Sequence, residues 1–237
     1  MAINSLRVNM LRSALTSLGV IIGVSAVIIM LAVGSGASKK VTENMEAMGT
    51  NILTVRSASA KSGGVHMGMG TKPTLTSKDA LAIKKMARGI LAISTMSSQT
   101  QQLTYGNQNW STTAYGIQPA YLYIKNYEIE MGRGFIPEDL QNSAKVTLIG
   151  STVAEELFGD VDPINKIIRV GNIPFKVVGL LKVKGQSGPF DQDDLIFIPI
   201  TTAQKKVFGT DFPGTVSQIV IKGQNPDTLN ETIEDIN

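Results

Sequence analysis

The spacing of apolar and polar positions changes character twice along the chain. Between Arg12 and Lys39 lie 26 uncharged residues, and residues 18–33 are Ile, Val, Leu, Met, Ala and Gly with one Ser. A helix crossing a bilayer core of about 30 Å needs about 20 such residues, so residues 14–36 are predicted to span a membrane. Upstream, Ile3, Leu6, Met10 and Leu11 recur at helical spacing among Asn4, Arg7 and Asn9, the pattern of an interfacial helix over residues 1–13. Downstream, Val41, Met45 and Met48 form a helical stripe over residues 37–49, which carries the helix past the membrane as a stalk, and Gly49 suits its end.

From residue 50 onward, short runs of strand formers alternate with amphipathic segments. Strands are predicted at 51–55, 90–96, 100–105, 110–116, 145–149, 166–170, 173–181, 195–199 and 218–222, with tight turns at Gly106-Asn107 and Gly171-Asn172. Thr76 followed by Asp79 is an N-cap with an acidic third residue, opening a helix to about Arg88. Further helices are predicted at 152–158, stopped by Gly159, and after a cap at Thr201 or Thr202, stopped by Gly209. Residues 57–74, rich in Gly and Ser and without periodicity, read as a mobile loop. Asn225-Pro226 opens a last helix with Leu229, Ile233 and Ile236 on one face. That pattern is still running at Asn237, as in a chain cut from a longer one. The alternation predicts an α/β (α+β) domain over residues 50–237.

Charge then narrows the function. Of the 22 basic residues, Arg7 and Arg12 precede the apolar run, and the remainder holds 20 basic against 19 acidic residues. A nearly neutral domain removes the support for nucleic-acid binding, which sets many Lys and Arg against phosphates. By the positive-inside rule Arg7 and Arg12 place the N-terminus in the cytoplasm and the main domain outside, with Lys39 and Lys40 on the far flank pulling the other way. A secretory signal is the rival reading, with Ser35-Gly36-Ala37 as its cleavage site. The apolar run is longer than the roughly 7–15 residues of a signal core, which favours an uncleaved helix. Gly19 and Gly23, in GVIIG, form a GxxxG step that lets a second helix approach closely, although a single such step is also a frequent accident.

Each catalytic template lacks a residue. There is no Cys and one His, His66, which removes thiol chemistry and zinc sites built on Cys or several His. HMGM at 66–69 offers soft ligands of the kind that hold Cu(I), but it sits in the Gly-rich segment and reads as loop. No Gly-Lys dipeptide occurs, so there is no Walker A loop, and neither GxGxxG nor GxSxG is complete. Asp191, Asp193 and Asp194 lack the Gly and distal Glu of a calcium loop and read as a solvated acidic loop. Adjacent Glu155 and Glu156 diverge on a helix, and Trp110 on a strand reads as packing. The chain is expected to be no enzyme, with no catalytic, cofactor or metal residues.

The ordered pieces resemble the permeases of MacB-type ABC transporters. The residues that carry the resemblance are LRSALTSLGVIIGVSAVIIMLAVGSGA (11–37), MGTNILTV (48–55), the Asp79 helix, YGIQPAYL (115–122) and MGRGF (131–135). They continue with VTLIGSTVAEELFG (146–159), DPINKIIRV (162–170), FKVVGLL (175–181) and DDLIFIPITTA (193–203). Asn165 stands where the family has Gly, and Asn tolerates the left-handed turn next best; MARGI (86–90) departs from the usual Pro-Gly. The resemblance implies a two-lobed extracytoplasmic core domain on the first of four membrane helices, with the second lobe inserted at about 118–214. It implies a paired or homodimeric permease in the cell (inner) membrane and an ABC ATPase, with its ATP and Mg, as a separate subunit or a preceding domain. A periplasmic adaptor and an outer-membrane channel are further implied partners. Mechanotransmission is the implied mechanism: ATP binding closes the membrane helices, and the stalks carry that motion outward to export a drug, a peptide or a lipid-linked molecule. The alternative from the residues alone is a secreted or membrane-anchored binding module without catalysis. A hydrolase resting on His66 comes third.

Overall fold

The apolar run forms one uninterrupted helix, α1 (Met10–Ala47). It holds no Pro, and in hydrocarbon a helix satisfies every backbone N–H and C=O within the segment, which outweighs the modest propensities of Val, Ile and Gly. Its aliphatic side chains are exposed on every side rather than along one stripe, and Met10–Lys39 is long and apolar enough to cross a membrane. Thr16 Oγ1 donates back to the carbonyls of Arg12 (2.9 Å) and Ser13 (3.0 Å), and Ser35 Oγ to that of Ala32 (3.0 Å), so the hydroxyls are satisfied within the helix.

This computed structural model describes residues 10–47, 51–56, 61–62, 65–66, 75–87, 89–209 and 214–225. The chain falls into two units, Met1–Glu46 and Ala47–Asn237. The predicted interfacial segment lies outside the described residues apart from residues 10–13, which begin α1. Val41 and Met45 are on the α1 backbone, their side chains outside the description, and Met48 and the segment 226–237 lie outside it altogether.

The second unit is organised by a nine-stranded sheet. In spatial order it runs β1 (Ile52–Arg56), β13 (Gln218–Gly223), β4 (Ile90–Tyr105), β5 (Gln108–Ile117), β12 (Leu195–Pro199), β7 (Val146–Ile149), β9 (Ile173–Leu181) and β6 (Ile129–Gly132). The ninth strand, β8 (Ile167–Val170), pairs with β9 and also with the far end of β4, where Leu103 faces Val170. Strands β4, β5, β12, β7, β9 and β8 therefore close into a ring, parallel at β5–β12 and β7–β9 and antiparallel elsewhere.

Strand alternation gives this ring an inner and an outer set of side chains. Helix α5 (Ser151–Phe158) touches β4, β5, β9 and β12, strands from across the ring. Its Val153, Leu157 and Phe158 join Leu103, Phe175, Val177, Ile196 and Ile198 in one buried cluster. On the other face Leu148, Val178, Leu181 and Phe197 form a second cluster with Tyr121 and Ile124 of α3 (Ala120–Ile124), the alternation along β9 being shifted by the irregular register where β7 and β6 meet it. At the β1–β13–β4 end, α2 (Ser77–Met86) sets Ala80 and Ile83 against Val216, Ile219 and Ile221. Its start is the predicted capping box: the Asp79 N–H donates to Thr76 Oγ1 at 3.3 Å and the Thr76 N–H to Asp79 Oδ2 at 2.7 Å. Asn165 takes the left-handed conformation expected of it, at φ 66°.

Four expectations need correction. The strands predicted at 90–96 and 100–105 are one strand, because Ser97, Ser98 and Gln99 pair without a break with Gly116, Tyr115 and Ala114 of β5. Within 57–74, β2 (Lys61–Ser62) and β3 (Val65–His66) form a short antiparallel ladder. Neither Thr201 nor Thr202 caps the helix after β12. That helix, α6 (Ile200–Thr202), continues as a π-turn over Ala203–Val207, and the two hydroxyls donate to the carbonyls of Leu140 (2.7 Å) and Ala144 (2.8 Å). The fourth concerns the acidic loop, whose carboxylates are bonded into the fold as described below.

Candidate functional site

Gly19 and Gly23 lie one turn apart on α1, and a Cβ built at either meets nothing within 4 Å. With no side chain at either position, that part of the helix surface is open, as it is at Gly34 and Gly36.

The aspartates at 191–194 do not converge on a shared centre. Asp193, only 3% exposed, accepts from the backbone N–H of Lys184 (2.9 and 3.1 Å) and of Gly185 (2.7 Å). Asp191 accepts from the Asp193 N–H at 2.8 Å and from Thr152 Oγ1 at 2.8 Å. Asp194 accepts from Trp110 Nε1 at 2.8 Å. The short hairpin β10 (Gln186–Ser187) and β11 (Phe190–Asp191) folds the segment back on itself beside Lys184 and Gly185, the donors to Asp193, while Thr152 and Trp110 reach Asp191 and Asp194 from other elements. The expectation of a solvated loop fails for Asp193, which is buried, and holds for Asp191, which stays exposed. Trp110 packs against the ring cluster, as expected of it.

A feature the sequence did not announce is a set of lysines around the turn after α3. A cleft of about 240 Å³ is lined by Asn126, Glu128, Lys182, Val183 and Lys184. Lys184 Nζ donates to the Lys125 carbonyl at 2.5 Å and sits 4.2 Å from the centre of the Tyr127 ring. Lys222 Nζ reaches Asn126 Oδ1 at 3.3 Å and lies over the Tyr123 ring. Burial, the neighbouring Lys125 charge and a weaker opposing pull from Asp193 leave the Lys184 amine at about 8. Burial and then Arg56 lower that of Lys125. These residues are far apart in the sequence and share no motif, so no local signal could have found them. Among the described residues no group of His, Asp and Glu is placed to hold a metal ion.

The fold and helix thus define a class: a mixed α/β domain that follows a candidate membrane span. The chain belongs to the family of MacB-like periplasmic core domains, whose profile matches residues 13–237. It is 42% identical over 208 residues to the macrolide export ATP-binding/permease protein MacB of Chlorobaculum tepidum, covering 88% of this chain and 32% of that one. The protein of the same name from Bdellovibrio bacteriovorus is 39% identical over 212 residues, covering 90% and 33%. The chain therefore spans about a third of the length of the curated relatives it matches. In fold it resembles the periplasmic region of MacB from Actinobacillus actinomycetemcomitans, with TM-score 0.65 and 22% identity over 82% of this chain and 85% of that one. It also resembles the extracellular domain of the noncanonic ABC-type transporter YknZ from Gram-positive bacteria, with TM-score 0.61 and 21% identity over 76% and 88%.

Proposed function

We propose that this chain is the first membrane helix and outer domain of an ATP-driven export permease, and that α1 carries motion from the cytoplasmic side to the domain outside. The observation that carries the reading is the length of α1. Its 38 residues measure about 57 Å at 1.5 Å per residue, against a bilayer core of about 30 Å. The helix runs unbroken past Lys39, and a continuous helix transmits rotation and tilt where a loop would absorb them. On this reading the N-terminus is cytoplasmic in the inner membrane, and Gly19 and Gly23 meet a second permease helix. Val41, Met45 and Met48 form the stalk contact, and residues 118–214 are an inserted lobe. The ATPase, with ATP and Mg, is a subunit or another domain, a second permease copy completes the transporter, and an adaptor and outer-membrane channel receive the cargo. The relatives' name points to a macrolide as that cargo.

The test is a flexible Gly-Ser insertion between Ala37 and Ser38 in the full transporter. Export should fall at least tenfold while ATP hydrolysis persists. Export at the unmodified rate would sink the proposal.

A further inference from the structure

The lysines around α3 have a property that the transport reading does not use. Lys125, Lys184 and Lys222 make no ion pair with a carboxylate among the described residues, whereas nearby Lys182 pairs with Glu128 and Arg133 with Asp139. The acid nearest in effect to Lys184 is Asp193, and its oxygens are already taken by the N–H groups of Lys184 and Gly185. Lys184 is instead held by a carbonyl and a ring face, and Lys222 by Asn126 Oδ1 and a ring face. A half-buried ammonium group with neutral partners keeps most of its charge uncompensated. Arg56 adds a fifth cation acting on Lys125, while Glu128, paired with Lys182 at 2.9 Å, and Glu130 are the acids on the cleft side.

We propose that the cleft between Asn126, Lys182 and Lys184, backed by Lys125 and Lys222, is a binding site for a phosphoryl group. Three features fit that chemistry. Lysine ammoniums act as point charges that satisfy several oxygens of one tetrahedral anion, where a single carboxylate would pair with one of them. Lys222 holds Asn126 through its Oδ1, which leaves the amide N–H groups to donate. Tyr123 and Tyr127 hold two of the ammoniums by their ring faces without neutralising them. The phosphoryl group belongs either to a free phosphorylated solute or to a lipid headgroup, and the site is independent of the force-transmission reading.

The experiment uses the 237-residue chain in phosphatidylcholine nanodiscs, titrated calorimetrically with inorganic pyrophosphate at pH 7 and low salt. Saturable binding is expected, weakened at least tenfold in the surface variant Lys182→Gln/Lys222→Gln and in Lys184→Met. It should tighten several-fold in Glu128→Gln, which removes the competing carboxylate, and stay unchanged in Lys145→Gln. Absence of saturable binding to the unmodified chain, or full retention in both lysine variants with native thermal melts, overturns the proposal. Nanodiscs with 30% phosphatidylglycerol separate the sources. Competition that disappears in Lys182→Gln/Lys222→Gln assigns a lipid headgroup, and unchanged pyrophosphate affinity assigns a free solute.

Discussion

Helix α1 and the strand ring draw on the same aliphatic residues and treat them in opposite ways. Val20, Ile22, Ile28 and Leu31 stand exposed on α1, whereas Ile149, Ile168, Ile196 and Ile198 of the ring are fully buried. The hydroxyls divide along the same line. In α1, Thr16 and Ser35 bond to carbonyls three or four residues behind. In the domain, Thr112 reaches the Asp194 carbonyl, Thr147 that of Phe197 and Thr202 that of Ala144, all distant in sequence. A helix made for lipid has to satisfy its polar groups locally and gains nothing from hiding Ile, while a domain in water gains stability from both long-range devices.

The contrast is broken most severely by deleting matched side chains in the two units. Phe175→Ala empties the centre of the ring and is expected to cost the domain about 3–5 kcal/mol. Ile22→Ala on α1 should leave the domain's unfolding transition where it was. Chemical denaturation of the chain in micelles, followed by the fluorescence of Trp110, reads both. Equal shifts for the two variants would mean that the units do not answer to separate solvents.

A smaller effect tests the hydroxyls. Thr147→Val removes a buried donor to the Phe197 carbonyl and leaves that carbonyl short of a partner, which costs about 1–2 kcal/mol. Thr16→Val removes a bond that only folds back on its own turn, so the domain transition should not move. The same denaturation series checks the pair, and a loss at Thr16 as large as at Thr147 would count against the distinction.

The sequence made the local features legible and left the long-range ones hidden. The span, the Thr76 capping box, the turns at Gly106 and Gly171 and most strands follow from periodicity and turn chemistry within a few residues. Closure of the ring does not, because it rests on Leu103 meeting Val170 and on β12 returning, some 80 residues later in the chain, to pair beside β5. The short helices α3 and α4 (Pro137–Gln141) escaped notice since five residues hold too little period to read. The burial of Asp193 is hidden for a related reason: its donors at Lys184 and Gly185, like the Trp110 donor to Asp194, cannot be placed beside it by composition. Gly19 and Gly23 were visible as a motif, whereas the lysines at 125, 184 and 222 come together only through the fold.

The smallest effect is in the pH dependence of the domain, since α1 between Ser13 and Ser38 carries no titratable group. Lys184 sits at about 8 in the fold against an ordinary 10.5, through burial and then the Lys125 charge; Lys125 is lowered too, through burial and then Arg56. Between those values the unfolded chain binds more protons than the folded one, so stability rises with pH across that window. Tyr121 and Tyr127 oppose the rise. Burial pushes both above their ordinary value of 10.0, so above pH 10 the unfolded chain loses protons that the folded one keeps, and stability falls. The urea midpoint should therefore climb from pH 8 to near 10 and then turn down. Lys184→Met should flatten the climb, leaving the part due to Lys125, and keep the fall. A wild-type midpoint that drops steadily from pH 8, or a climb unchanged in Lys184→Met, would show that the Lys184 charge is compensated in the fold after all.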